Sequence, residues 1–139
     1  MNIFSFLILK SKTKYLDGFS SVRQALEKMD YYKFSVVPLL DGEGRYLGTV
    51  SEGDLLSCIK NDCNFDLKKM EERMVLDIPR YRSYKALNVS ASIEELISLA
   101  LEQNFIPVVD DRDMFIGIIP RKTLIDHYYE QIKDSFSSK

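Results

Sequence analysis

One run of this chain occurs twice. Ser35-Val36-Val37-Pro38-Leu39-Leu40-Asp41, followed by Tyr46-Leu47-Gly48-Thr49-Val50, returns 69 residues later as Asn104-Phe105-Ile106-Pro107-Val108-Val109-Asp110 and Phe115-Ile116-Gly117-Ile118-Ile119. Pro38, Asp41, Gly48 and Leu55 fall on Pro107, Asp110, Gly117 and Leu124 without a gap. Such self-similarity means two copies of one supersecondary unit, and it predicts packing about a pseudo-twofold axis. A pair of this kind creates two similar clefts between its halves, and where the copies differ the clefts should differ in chemistry.

Hydrophobic periodicity gives each copy its elements. Val22, Ala25, Leu26 and Met29 mark one amphipathic helix, and Ile93, Leu96, Ile97, Ala100 and Leu101 mark its counterpart. Ser21 and Ser92 stand just before these stripes as N-caps. The short runs Ser35–Leu40 and Phe105–Val109 are rich in β-branched residues and read as buried strands. Each leads through a tight turn (Asp41–Gly44, Asp110–Asp113) into a second strand, Arg45–Val50 or Met114–Ile119. Closing helices are expected from Ser51 to about Asn61 and from Arg121 to about Ser135, with weak first strands near Lys14–Asp17 and Lys85–Val89.

The expected fold is therefore α/β, two tandem β-α-β-β-α repeats: 1–63, a polar linker 64–74 with room for some helix, and 75–139. The apolar start, Met1 to Leu9, has neither the basic flank nor the cleavage site of a signal peptide and is too short to span a bilayer. Shifted by 71, Leu7, Lys14, Leu16, Ser21 and Val22 land on Ile78, Lys85, Leu87, Ser92 and Ile93, so the start is assigned to the first copy.

With 139 residues and a net charge of −2, the chain can bury one sizeable core and carries no basic excess for nucleic acid or an anionic membrane. Cys58 and Cys63 stand five apart, and His127 is the single histidine. That spacing fits neither a zinc site nor a redox Cys-x-x-Cys, so reduced thiols in the cytoplasm and no metal are expected.

The sequence Gly48-Thr49-Val50-Ser51-Glu52-Gly53-Asp54 runs from a strand into a helix. Gly48 lets a ligand approach the strand end closely. First-turn amides at the positive end of the helix dipole favour an anion. Ser51 adds a hydroxyl, and Asp54 can accept two ribose hydroxyls. The same Ser-x-x-Asp is equally a capping arrangement, and the pattern alone does not separate the two readings.

These paired motifs, aliphatic-Pro-aliphatic-aliphatic-Asp, a turn, then Gly-hydrophobic-x-Ser/Thr-x-x-Asp, resemble those of a tandem CBS-domain pair, the Bateman module, over about Leu7 to Ile132. The resemblance implies a non-catalytic regulatory module that binds an adenosine-containing ligand such as AMP, ADP, ATP, S-adenosylmethionine or cyclic di-AMP in the cleft between repeats. No cofactor is required beyond that ligand. By the same matching Asp54 holds the ribose and Ser51 meets phosphate. Adenine lies among Phe34, Ser35 and Thr49 beside Gly48, and Leu9–Lys14, with Lys14, closes over it. A homodimer through the outer helices is implied too, with Leu124, Ile125, Tyr128 and Tyr129 as candidate contacts, and an effector protein as a further partner.

The second copy departs from this pattern. Pro120 and Thr123 replace the Ser and the Asp, while Arg121 and Lys122 put two cations at the helix start. Two readings follow: solvated surface charge, or a second site that grips phosphate by charge. Arg80, Arg82 and Lys85 flank this second cleft in the sequence reading, and Asn104 and Ile118 complete it. His127 has no partner at triad spacing and is assigned a packing role. No Walker or Gly-x-Gly-x-x-Gly loop is present, so no enzyme is expected. The rival readings are a cyclic di-AMP receptor acting on a partner, a protein-interaction scaffold that has lost its ligand and, weaker, a nucleic-acid binder.

Overall fold

The computed structural model describes residues 2–33 and 35–137. Its residues fall into two compact bodies, Lys14–Tyr84 and Met1–Thr13 with Lys85–Lys139. In the first, β2 (Leu16–Asp17) leads through α1 (Val22–Tyr32) into β3 (Val36–Leu40), β4 (Tyr46–Ser51) and α2 (Glu52–Asn61). The sheet order is β2-β3-β4, with β2 and β3 parallel and β3 and β4 antiparallel. In the second, β5 (Leu87–Asn88), α4 (Ile93–Ala100), β6 (Phe105–Val109), β7 (Phe115–Pro120) and α5 (Arg121–Ser137) repeat the pattern. A further strand, β1 (Ile8–Leu9), extends that sheet to the order β1-β7-β6-β5. The expected β-α-β-β-α unit is present in each body.

The duplicated residues explain the duplicated geometry. Asp41 Oδ1 accepts the N–H groups of Glu43 and Arg45, both at 2.9 Å. Asp110 Oδ1 does the same for Arg112 at 2.8 Å and Met114 at 3.0 Å, so one carboxylate organises each hairpin turn. Pro38 and Pro107 lie in central strands, where a missing N–H would break a ladder. However, β2 and β5 begin to pair only at Leu39 and Val108, one residue later. Each proline thus sits where its strand has a neighbour on one side only.

Helix capping also follows the sequence. Ser21 and Gln24 form a reciprocal capping box, and the Ser92 hydroxyl accepts the Glu95 N–H. The core of the first body gathers Leu16, Val22, Ala25, Met29, Val37, Leu39, Val50 and Leu55. Leu96, Ala100, Ile106, Val108, Ile119 and Leu124 serve the second. Leu26, Ile97 and Leu101 do not join these cores: they are exposed, and α4 ends before Leu101.

Packing divides the chain differently from the linear boundaries 1–63, 64–74 and 75–139. The segment expected as a linker contains α3 (Leu67–Glu72), whose Met70 is buried in the first core. Val75 and Ile78 are buried there as well, although they begin the second copy. Conversely, Ile3 and Phe6 enter the core of the second body. The leading segment of the first copy thus joins the sheet of the second body: Ile8 pairs with Ile118 and Leu9 with Gly117. A Cβ on Gly117 would lie 2.1 Å from the Ile8 carbonyl oxygen, so this close approach requires glycine.

At the offset of 71, the counterparts of Ile8 and Leu9 are Pro79 and Arg80. They belong to the first body, and Arg80 packs on Gly48, as Leu9 pairs with Gly117. Proline at 79 has no N–H to donate, so no strand equivalent to β1 forms there. Each copy's leading segment thus packs with the other copy's sheet.

Candidate functional site

The motif at the end of β4 folds as a capping box. The Ser51 hydroxyl accepts the Asp54 N–H at 3.1 Å, and Asp54 Oδ2 accepts the Ser51 N–H at 3.0 Å. Glu52 N–H donates to the Ser35 carbonyl at 2.8 Å, so two of the first three amides of α2 are already committed. Asp54 is only 4% exposed, and its other oxygen, Oδ1, accepts the N–H of Tyr81 at 3.0 Å. A carboxylate has about four lone-pair positions; these two bonds leave capacity for hydroxyl donors on each oxygen.

The segment Arg80–Tyr84 lies against this motif as a strap. The Tyr81 hydroxyl is 2.6 Å from Ser57 Oγ on α2. Further along, the Tyr46 hydroxyl donates to the Tyr84 carbonyl at 3.1 Å and lies 2.6 Å from the Thr49 hydroxyl. Thr49 is buried, and burial pushes the Tyr46 phenol up to about 12, with Thr49 and the Arg80 charge opposing. Gly48 has φ +153°, a conformation that disfavours any side chain, and a Cβ there would lie 2.5 Å from Arg80 Nη1. That Nη1 is buried and has no hydrogen-bond partner among the described residues.

Of the residues expected at the first site, Gly48, Thr49, Ser51 and Asp54 come together, and Ser35 reaches α2 through its carbonyl. Phe34 lies outside the described residues. Lys14 is exposed, its ammonium 4.7 Å from the Tyr32 ring centroid. Leu9–Thr13, expected to close over the site, is grouped with the second body, and within the first body Arg80–Tyr84 lies at Asp54. These segments are counterparts at the offset of 71. Tyr81 and Tyr84 in the strap, and Tyr46 and Ser57 that bond to it from β4 and α2, were not among the expected residues.

Of the second expected group, Arg80 belongs to the first body and packs on Gly48. Lys85, Asn104, Ile118, Arg121 and Lys122 share the second body. Arg121 Nε donates to the carbonyls of Ala100 at 2.7 Å and Gln103 at 3.1 Å, closing the C-terminus of α4. Lys122 pairs with Asp126 one turn on, at 2.7 Å and largely in solvent. The backbone of Lys85 is held by buried Gln103, whose amide accepts its N–H and donates to its carbonyl. Ile118 faces β1 in the ladder, and Asn104 accepts the Arg121 N–H. Arg121 is thus held by carbonyl acceptors and Lys122 by a largely solvated ion pair.

Other groups have packing roles. His127 meets Phe6 edge-on with ring centroids 5.0 Å apart. Cys58 and Cys63 are both buried, and burial, then the neighbouring Cys63, push the Cys58 thiol up to about 11. Among the described residues no His, Cys, Asp and Glu group could hold a metal, and no helix is long and apolar enough to cross a membrane.

Known proteins with this arrangement are diverse in sequence. The crystal structure of CbpB in complex with c-di-AMP superposes with a TM-score of 0.86 at 18% identity, covering 100% of this chain and 91% of that one. CBSX2 in complex with AMP gives a TM-score of 0.71 at 26% identity, covering 95% and 98%. A homoserine O-acetyltransferase from Methanocorpusculum labreanum is 27% identical over 105 residues, which is 76% of this chain but 20% of the enzyme. The CBS domain family model matches twice, at residues 8–61 and 75–130. The chain belongs to the CBS-domain family, as a tandem pair of its repeats.

Proposed function

We propose that the protein is a non-catalytic sensor of an adenosine-bearing nucleotide, bound at the end of β4 and the start of α2. The observation that carries this reading is Asp54: a buried carboxylate with lone pairs to spare, held by two backbone N–H groups beside side-chain-free Gly48. In the proposal Asp54 accepts ribose hydroxyls, while Ser51 and the α2 terminus face phosphate and Ser35 and Thr49 lie toward adenine. Lys14 stands at the margin. The structures with AMP and with c-di-AMP support nucleotides of the AMP class, with cyclic di-AMP as the second reading. Acetyl transfer is not carried over, since the match spans a fifth of that enzyme.

Ligand at Asp54 must share that carboxylate with Tyr81, so binding favours one arrangement of the Arg80–Tyr84 strap over another. This is the proposed signal, read in the cytoplasm by a second copy or an effector protein. The surface proposed for a homodimer is the α4/α5 groove, where Ile97, Leu101, Ile125, Tyr129 and Ile132 expose apolar area. Leu124 is buried and belongs to the core, and Tyr128 is half-buried.

Thermal denaturation with AMP, ADP, ATP, S-adenosylmethionine and cyclic di-AMP tests the reading. A ligand at about 100 times its Kd adds roughly 2.7 kcal/mol, a rise of several degrees for a domain of this size. No shift with any of them would overturn the sensor and leave an interaction scaffold in its place.

A further inference from the structure

We infer that Arg80 is a specificity-determining residue that restricts the site to anionic, phosphate-bearing ligands and disfavours uncharged or cationic adenosine compounds. The inference rests on the nucleotide-site reading above and narrows its ligand class. Arg80 Nη1 is buried, yet no acceptor meets it among the described residues. A guanidinium is charged at every relevant pH and carries five donors, so a buried N–H without an acceptor is a liability that a compact fold normally removes. Asp54, the carboxylate of the motif, accepts from Ser51 and Tyr81 and makes no bond to Arg80 Nη1.

The position of the charge matters as much as its lack of a partner. The guanidinium lies against Gly48, where even a Cβ would come within 2.5 Å of Nη1 and 3.3 Å of Cζ. It therefore borders the place where a ligand approaches the strand end. Its neighbours Tyr46 and Thr49 are neutral hydroxyls bonded to one another, and neither supplies an anion. A phosphate gives the guanidinium charged acceptors in the planar, two-point geometry it favours. Adenosine gives it none, and the sulfonium of S-adenosylmethionine adds a like charge nearby. In the second body, β1 lies along Gly117 and Arg121 already has two carbonyl acceptors, so this selectivity belongs to the first body.

Calorimetric titration of the whole chain with adenosine, S-adenosylmethionine, AMP, ADP, ATP and cyclic di-AMP tests this, repeated on Arg80→Gln and Arg80→Lys with melting curves to verify folding. The expected result is that the best phosphate-bearing ligand binds roughly ten- to a hundredfold tighter than adenosine, the scale of a charge-assisted hydrogen bond. Arg80→Gln should bring that ratio toward one while leaving adenosine affinity unchanged, and Arg80→Lys should keep part of it. If adenosine matches the anionic ligands in the parent protein, or Arg80→Gln binds them as tightly or tighter, Arg80 is not a selector although the sensor reading stands. Silence from every compound, adenosine included, overturns both.

Discussion

Asp54 accepts the backbone N–H of Tyr81 at 3.0 Å, joining the first turn of α2 to a segment 27 residues further along the chain. The same carboxylate caps its own helix through Ser51. One buried group therefore holds two backbone donors at once.

Asp54→Ala should destabilise the protein by about 2–4 kcal/mol, the sum expected for a lost cap and a stranded N–H. Urea denaturation measures it. Ser51→Ala, which removes one cap bond alone, should lose about 1 kcal/mol. Asp54→Ala should also abolish any nucleotide-induced melting shift, whereas Ser51→Ala should only reduce it.

Gly48→Ala should destabilise by about 1–3 kcal/mol, because φ +153° is a conformation that L side chains rarely adopt and the new methyl meets Arg80. Arg80→Ala in the same chain should recover the steric part and leave the backbone part. A double-mutant cycle that shows no coupling would place the guanidinium elsewhere.

Stability should fall as pH rises from about 9 to about 12, since burial first of all raises Tyr46 from 10.0 to about 12 and Cys58 from 9.0 to about 11. Both groups are neutral when protonated, and the folded state holds those protons more tightly than the unfolded chain. Their contribution is complete below the unfolded values and disappears as the folded values are passed. Tyr46→Phe should flatten the part of the fall above pH 10, as followed by denaturation midpoints across an alkaline series.

Arg121→Ala should lose about 1–3 kcal/mol through the unpaired carbonyls of Ala100 and Gln103. Lys122→Ala, on an exposed ion pair, should stay within about 0.5 kcal/mol. Neither should alter a nucleotide-induced melting shift. A lost shift in Arg121→Ala would instead favour the charge-gripping second site.

Much of this was legible because local rules decide it. Ser21, Ser51 and Ser92 cap the helices their spacing announces, and Asp41 and Asp110 organise the turns they begin. Both readings of Ser51 and Asp54 stay physically compatible, since the capping bonds leave lone pairs on Asp54. What the sequence hid is pairing at long range. The offset of 71 relates Leu9 to Arg80, but similarity between copies cannot say which sheet each segment joins. Arg121 shows the other limit: the sequence left solvated charge and a phosphate grip both open, and its acceptors, the carbonyls of Ala100 and Gln103, come from packing about twenty residues away.

The exchange of leading segments sets an order of assembly. Residues 14–84 form their body from continuous chain, so its contacts can close as soon as Tyr84 has left the ribosome. Residues 1–13 emerge earlier but can settle only after β7 exists, across a loop of roughly a hundred residues whose closure is slow though only modestly unfavourable. Ile3 and Phe6, which pack in the core of the second body, are then among the last of its side chains to leave water.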